Sequence, residues 1–173
     1  MKLCAFGFDT IAVVASDLYL LDPEADHGAE QGVRVEVRLI ERDLDPDALF
    51  AAAPVTLGRP LWRADLLESV DHPGTLDRAH HHTVFEEWEP GDREFDPGMS
   101  DDPVAWVVGR LSDLASILGP DATVPGFVAP DDPAQVQSAI PEIREAIHRL
   151  LSEVRARPSG THPAQGPARV GWL

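Results

Sequence analysis

Lysine, cysteine, tyrosine and asparagine are almost missing from this chain, which has one Lys (Lys2), one Cys (Cys4), one Tyr (Tyr19) and no Asn. A single cysteine leaves no partner for an internal disulfide, which argues against an extracellular disulfide-stapled scaffold. The apolar neighbours of Cys4 make it a buried small hydrophobe rather than a reactive thiol. Positive charge is scarce as well: 14 Lys and Arg face 30 Asp and Glu, a formal charge of −16. That field repels phosphate backbones and anionic lipid, so nucleic acid and membrane surfaces are excluded as partners. A small molecule, a divalent cation or a basic protein partner suits it better, although such charge also serves solubility. No apolar run approaches the roughly 20 residues that span a bilayer. Asp9 and Asp17 interrupt the apolar start without a small-residue cleavage pattern, so it reads as mature structure of a cytoplasmic protein rather than a signal peptide. There is no G-x-G-x-x-G, P-loop, G-x-S-x-G or paired C-x-x-C, which removes support for nucleotide binding, α/β-hydrolase chemistry and structural zinc.

What is present fits one compact domain: 173 residues, 43% of them hydrophobic, supply a single core. The bias to Arg over Lys, with abundant Ala, Pro, Asp and Gly, marks a GC-rich bacterial coding sequence. The pattern predicts an α+β fold, an N-terminal antiparallel sheet packed against two C-terminal amphipathic helices, over residues 1–157, with a Pro/Gly-rich tail over 158–173. Strands are expected at Leu3–Phe8, Ile11–Ala15 and Leu18–Leu21, then a turn-rich acidic loop at Asp22–Gly32. Val33–Leu39 alternates strictly, with aliphatic residues on one face and Arg34, Glu36 and Arg38 on the other. A short helix is expected from Asp45-Pro46 through Phe50. Two further strand pieces follow at Pro54–Leu57 and Leu61–Leu67, broken at Gly58-Arg59-Pro60. Their outward face carries Arg63 and Asp65, which completes a solvated charge ladder or else a polar substrate floor.

The second half predicts a helix from Asp102-Pro103 to Leu118, ending at Gly119-Pro120. After a connector over Pro120–Pro133, a second helix carries Ile140, Ile143, Ile147, Leu150, Leu151 and Val154 on one stripe, with Pro141 in its first turn. Trp88 and Trp106 are expected as core anchors, and His148 as a helix-boundary histidine.

Chemistry concentrates in one segment. His72 and His80-His81-His82 place four of the seven histidines within eleven residues. Imidazole is the commonest metal ligand and the side chain that titrates nearest neutrality. If His80–Phe85 is a strand, His80 and His82 share a face with Cα atoms about 6.5 Å apart, while His81 points away. Glu86 shares the His80/His82 face if the strand continues, and His72 can arrive from the preceding loop. Two histidines and a carboxylate suit zinc or iron with positions left open. Arg63 or Arg78 then holds an anionic substrate. Two alternatives stay open: histidines that only hydrogen-bond to Glu86, Glu87 and Glu89, or a metal-free acid/base pair of His80 or His82 against Glu86. A non-catalytic acidic protein that covers a basic partner is a further reading, in the manner of an accessory or immunity protein.

The run from Gly74 through His80-His81-His82 to Glu86 resembles the first metal motif of the cupin family, G-x5-H-x-H-x3–4-E followed by a later Gly. The resemblance implies that His80, His82 and Glu86 are metal ligands in a β-barrel. It covers Gly74–Glu86 alone: the next glycines, Gly91 and Gly98, fall too early and too late. The family's second motif has no counterpart, because only His148 and His162 lie downstream. The stretch from His80 through Phe95-Asp96-Pro97 to Trp106 is also similar to small actinobacterial-type proteins, a resemblance that implies no activity.

Overall fold

The computed structural model describes residues 1–21, 28–42, 55–118 and 128–157. Five strands form one sheet in the order of the chain, each antiparallel to the next: β1 (Leu3–Gly7), β2 (Ile11–Leu21), β3 (Ala29–Arg42), β4 (Val55–Ser69) and β5 (His80–His82). A two-stranded hairpin, β6 (Phe85–Glu86) and β7 (Glu89–Pro90), follows. The helices are α1 (Pro97–Asp101), α2 (Pro103–Ser112), α3 (Leu114–Leu118) and α4 (Asp132–Arg155). This is the α+β arrangement expected, a sheet with C-terminal helices on it, and not the β-barrel implied by the cupin resemblance. Among the described residues no helix is long and apolar enough to cross a membrane.

The alternation of β3 sets the two layers. Val33, Val35 and Val37 face Leu66, Ala64 and Trp62 in register, all fully buried. They form the apolar face that packs against Val107 and Leu111 of α2 and Ile143 and Ile147 of α4. Each of these Val, Leu and Ile side chains contributes roughly 1.5–3 kcal/mol on burial. The odd and even positions divide cleanly because the side-chain period of a strand is two.

Several elements differ from the sequence expectation, each for a physical reason. The pieces Ile11–Ala15 and Leu18–Leu21 are one strand, because Ser16 and Asp17 still pair with Arg34 and Val33. The strand β3 starts at Ala29, so the expected loop to Gly32 is shorter. Gly32 belongs to the ladder, where a Cβ would come within 2.0 Å of the Leu66 carbonyl oxygen. β4 runs through Gly58-Arg59-Pro60 because register shifts at Val37, Arg38 and Ile40 absorb the proline, which cannot donate to the ladder. The expected helix to Leu118 breaks at Asp113, whose N–H turns back to the Arg110 carbonyl at 3.0 Å. Ser112 and Asp113 favour such local bonding over the helical ladder. A short helix that the reading missed, α1, repeats the Asp-Pro signature: Asp96 caps it by accepting from Gly98 N at 2.8 Å. The last helix, α4, begins at Asp132, so Pro141 lies inside it rather than in its first turn. Val136 extends the buried stripe by one more turn. The Asp45-Pro46 helix, the Gly119-Pro120 stop and the 158–173 tail lie outside the described residues.

Candidate metal centre

Antiparallel pairing of β4 with β5 puts Arg63 opposite His82, Ala64 opposite His81 and Asp65 opposite His80. Alternation then sends Asp65, His80 and His82 to the face away from the helices, and His81 to the core. The three former side chains are buried, at 2%, 1% and 5% exposure. Their ligand atoms all lie within 4.8 Å of one another. Asp65 Oδ2 is 3.6 Å from His80 Nε2 and 3.8 Å from His82 Nε2. The two imidazoles meet edge to face at 5.1 Å.

Each ring is held by its other nitrogen. His80 Nδ1 is 2.8 Å from the Arg78 carbonyl oxygen, and His82 Nδ1 is 2.9 Å from that of Gly91 and 3.1 Å from that of Asp92. A carbonyl oxygen only accepts, so Nδ1 carries a hydrogen in both rings, which leaves Nε2 as the ligand atom of a neutral ring. Both Nε2 atoms thus face one carboxylate oxygen at distances beyond a hydrogen bond. Backbone-held Nδ1–H is the arrangement that orients histidine ligands around a metal. Ligand bonds of about 2.1 Å in a tetrahedral shell place donors about 3.4 Å apart, so the two Asp65–imidazole separations need to close by only a few tenths of an ångström to share one ion. The basicity of His80 is depressed, first by burial, against the opposing pull of the Arg78 carbonyl and Asp65. That keeps the ring neutral, as a ligand must be.

Asp65 is not left alone. Arg34 Nε donates to its Oδ1 at 2.7 Å and Nη2 to its Oδ2 at 3.0 Å. This pairing outweighs desolvation and raises the Arg34 pKa above its ordinary value. The neighbouring charges are matched likewise. Glu36 accepts from Arg63 Nε at 2.9 Å and Arg38 Nη1 at 2.9 Å, and Arg38 Nε donates to the Gly58 carbonyl at 2.9 Å. Phe85 covers Arg63 at 5.4 Å and Trp88 covers Arg38 at 5.0 Å. The expected solvated ladder is therefore a covered one, with Glu36, Arg63 and Asp65 all buried. Opposite charges in register and the hairpin laid over them make this affordable.

The sequence-derived candidates divide. His80 and His82 come together with Asp65. Glu86 does not, because β5 ends at His82 and the chain leaves the sheet: Glu86 sits exposed in the separate β6–β7 hairpin, opposite Glu89. His72 stands in an exposed turn, its Nδ1 3.8 Å from Asp77 Oδ2. Arg63, expected to meet a substrate, is buried and spent on Glu36, and Arg78 contributes its carbonyl to His80. His81 points away as expected but is no bystander: it is buried, 4.9 Å from the Trp106 ring, which stacks on Trp62 at 6.2 Å. Trp88, expected as a core anchor, is 52% exposed because the hairpin tip carries it outside the sheet. Cys4 is half-buried and accepts a 3.3 Å bond from Arg149, and His148 is exposed. The residue that sequence reasoning missed is Asp65. Alternation had placed it on the charged face, but only the β4–β5 register brings it to His80.

No family model, curated protein or solved structure matches the chain.

Proposed function

We propose that Asp65, His80 and His82 bind one divalent cation, zinc or iron, and that the protein is a metal-dependent enzyme acting on a small molecule. The observation that carries this reading is the pair of Nε2 atoms directed at one Asp65 oxygen while both Nδ1 atoms are taken by backbone carbonyls. Histidines that only tied the loop to Asp65 would be hydrogen-bonded to it, whereas both Nε2 atoms stop 3.6 and 3.8 Å from its Oδ2, an arrangement that one shared cation would complete. Three protein ligands leave positions open for a substrate or water, the condition for Lewis-acid or oxidative chemistry.

The test is the metal content of protein purified without a polyhistidine tag, alongside a His80→Ala/His82→Ala double variant. The wild type is expected to retain about one ion per chain after dialysis and to regain it from added zinc or ferrous iron, and the variant to do neither. Equal and negligible metal in both proteins would remove the proposal.

A further inference from the structure

After the β6–β7 hairpin the chain returns along the free edge of β5. His81 N–H donates to the Glu94 carbonyl at 3.0 Å and Glu94 N–H to the His81 carbonyl at 2.9 Å, one antiparallel bridge. Such a pair fixes its neighbours, so Arg93 stands beside His82 and Phe95 beside His80. Alternation directs both side chains to the face that carries the imidazoles. The Phe95 ring, 5.9 Å from that of His80, agrees with this placement. Arg93 Nη2 lies 3.5 Å from Glu30 Oε2 on β3. Since β4 and β5 lie between β3 and that edge, the Arg93 side chain crosses the face on which Asp65, His80 and His82 meet.

Arg93 differs from the other guanidiniums of this face. Arg34 grips both oxygens of Asp65, and Arg38 and Arg63 are both bonded to Glu36. Arg93 is 47% exposed, and its ion pair with Glu30 is longer than the 2.7–2.9 Å typical of a charge-assisted bond. Phe95 beside it is 68% exposed, an apolar ring left in water next to a buried polar cluster. An exposed cation and an exposed aromatic ring thus flank ligands that are themselves closed off.

We infer that the substrate of this centre is a small monocarboxylate with an apolar or aromatic body, its carboxylate bound by Arg93 in place of Glu30 and its body against Phe95. This rests on the reading of Asp65, His80 and His82 as metal ligands. A carboxylate matches the planar fork of the arginine guanidinium, which binds it through two parallel hydrogen bonds.

Cobalt(II) reports on such a site through its visible absorption, and benzoate is the probe. Cobalt-loaded wild type, R93M and E30Q are titrated with benzoate, and with benzamide as the uncharged analogue. The expected result is a saturable change of the cobalt band with benzoate and none with benzamide. R93M should bind benzoate about tenfold more weakly at unchanged cobalt uptake. E30Q should bind it more tightly, because Arg93 is released from its competitor. Cobalt uptake with no benzoate response, or with equal benzoate affinity in wild type and R93M, overturns the inference and leaves the metal centre standing. Failure of the wild type to take up cobalt overturns both.

Discussion

Arg34 Nε lies 2.7 Å from Asp65 Oδ1, so the carboxylate at the heart of the candidate centre already has one cationic partner before any metal arrives. Removing that partner from metal-free protein would leave Asp65, 2% exposed, as a buried charge without its guanidinium, which is costly. R34M should therefore lose about 3–5 kcal/mol of stability without metal. Zinc should restore the larger part, because a bound cation takes over the compensation of Asp65. Urea unfolding of wild type and R34M, each with a chelator and with zinc, checks this. If zinc stabilises R34M no more than wild type, Asp65 is not a ligand.

The position of Glu86 makes a second, sharper test. It is exposed in the hairpin, and His72 is exposed in the turn after β4, so neither joins the ligand group. E86Q and H72A should keep zinc affinity within about twofold. D65N, which keeps the shape and removes the charge, should lose at least about 100-fold. Competition against a chromogenic zinc chelator measures all three. A loss in E86Q that matched D65N would mean that the strand continues past His82 and that the spacing to Glu86 is the true motif.

These two carboxylates show which part of the site was legible in the sequence. The pair His80 and His82 follows from local alternation, because a strand of period two puts i and i+2 on one face whatever else happens. Whether that strand continues is a tertiary matter. The chain turns out after His82, where the Thr83 hydroxyl bonds to the Glu94 carboxylate and Gly91 N–H meets the Val84 carbonyl at 2.9 Å. Asp65 could not be chosen from alternation alone, since Arg63 and Asp65 share a face and only the turn over residues 70–79 decides which of them meets His80. The layers of the sheet were legible for the same local reason as the histidine pair. The start of α4 was not, because Pro141 reads as a first-turn signal while the buried stripe continues through Val136 behind it.

The carboxylate of Asp132 ties the first turn of α4 to the β1–β2 turn. Fully buried, it accepts from Asp9 N at 2.8 Å, Thr10 N at 3.2 Å, Ala129 N at 3.1 Å and the Thr10 hydroxyl. D132A orphans these donors and should cost on the order of 3 kcal/mol, whereas D132N keeps one acceptor oxygen and should cost less. Urea midpoints give the order, with the exposed substitution E142A as the reference. Metal uptake should be unchanged in both variants, since Asp132 bonds to the β1–β2 turn, and β1 and β5 are opposite edges of the sheet. A D132A midpoint equal to that of E142A would show that these bonds contribute nothing net.

Stability should fall with acid before the carboxylates titrate, and His81 should account for part of the fall. Its pKa is lowered, first by burial and then by the charge of Arg110, against the opposing pull of Glu94 and Asp96. The His80 pKa is lowered too, with burial the leading cause. For a histidine depressed in the folded state, the unfolded chain takes up the proton first as pH drops. The stability contribution is thus whole above the ordinary histidine pKa of about 6.5 and is lost as pH falls below it toward the folded value. Each such group adds a slope of at most about 1.4 kcal/mol per pH unit. H81F keeps an aromatic ring against Trp106 and removes the titration, so its slope should be smaller than that of wild type by up to that amount. Urea unfolding in chelator between about pH 7.5 and pH 5 measures both slopes, a window in which most carboxylates stay ionised. Identical slopes would mean that His81 titrates alike in the folded and unfolded chains, and that its burial against Trp106 does not hold it neutral.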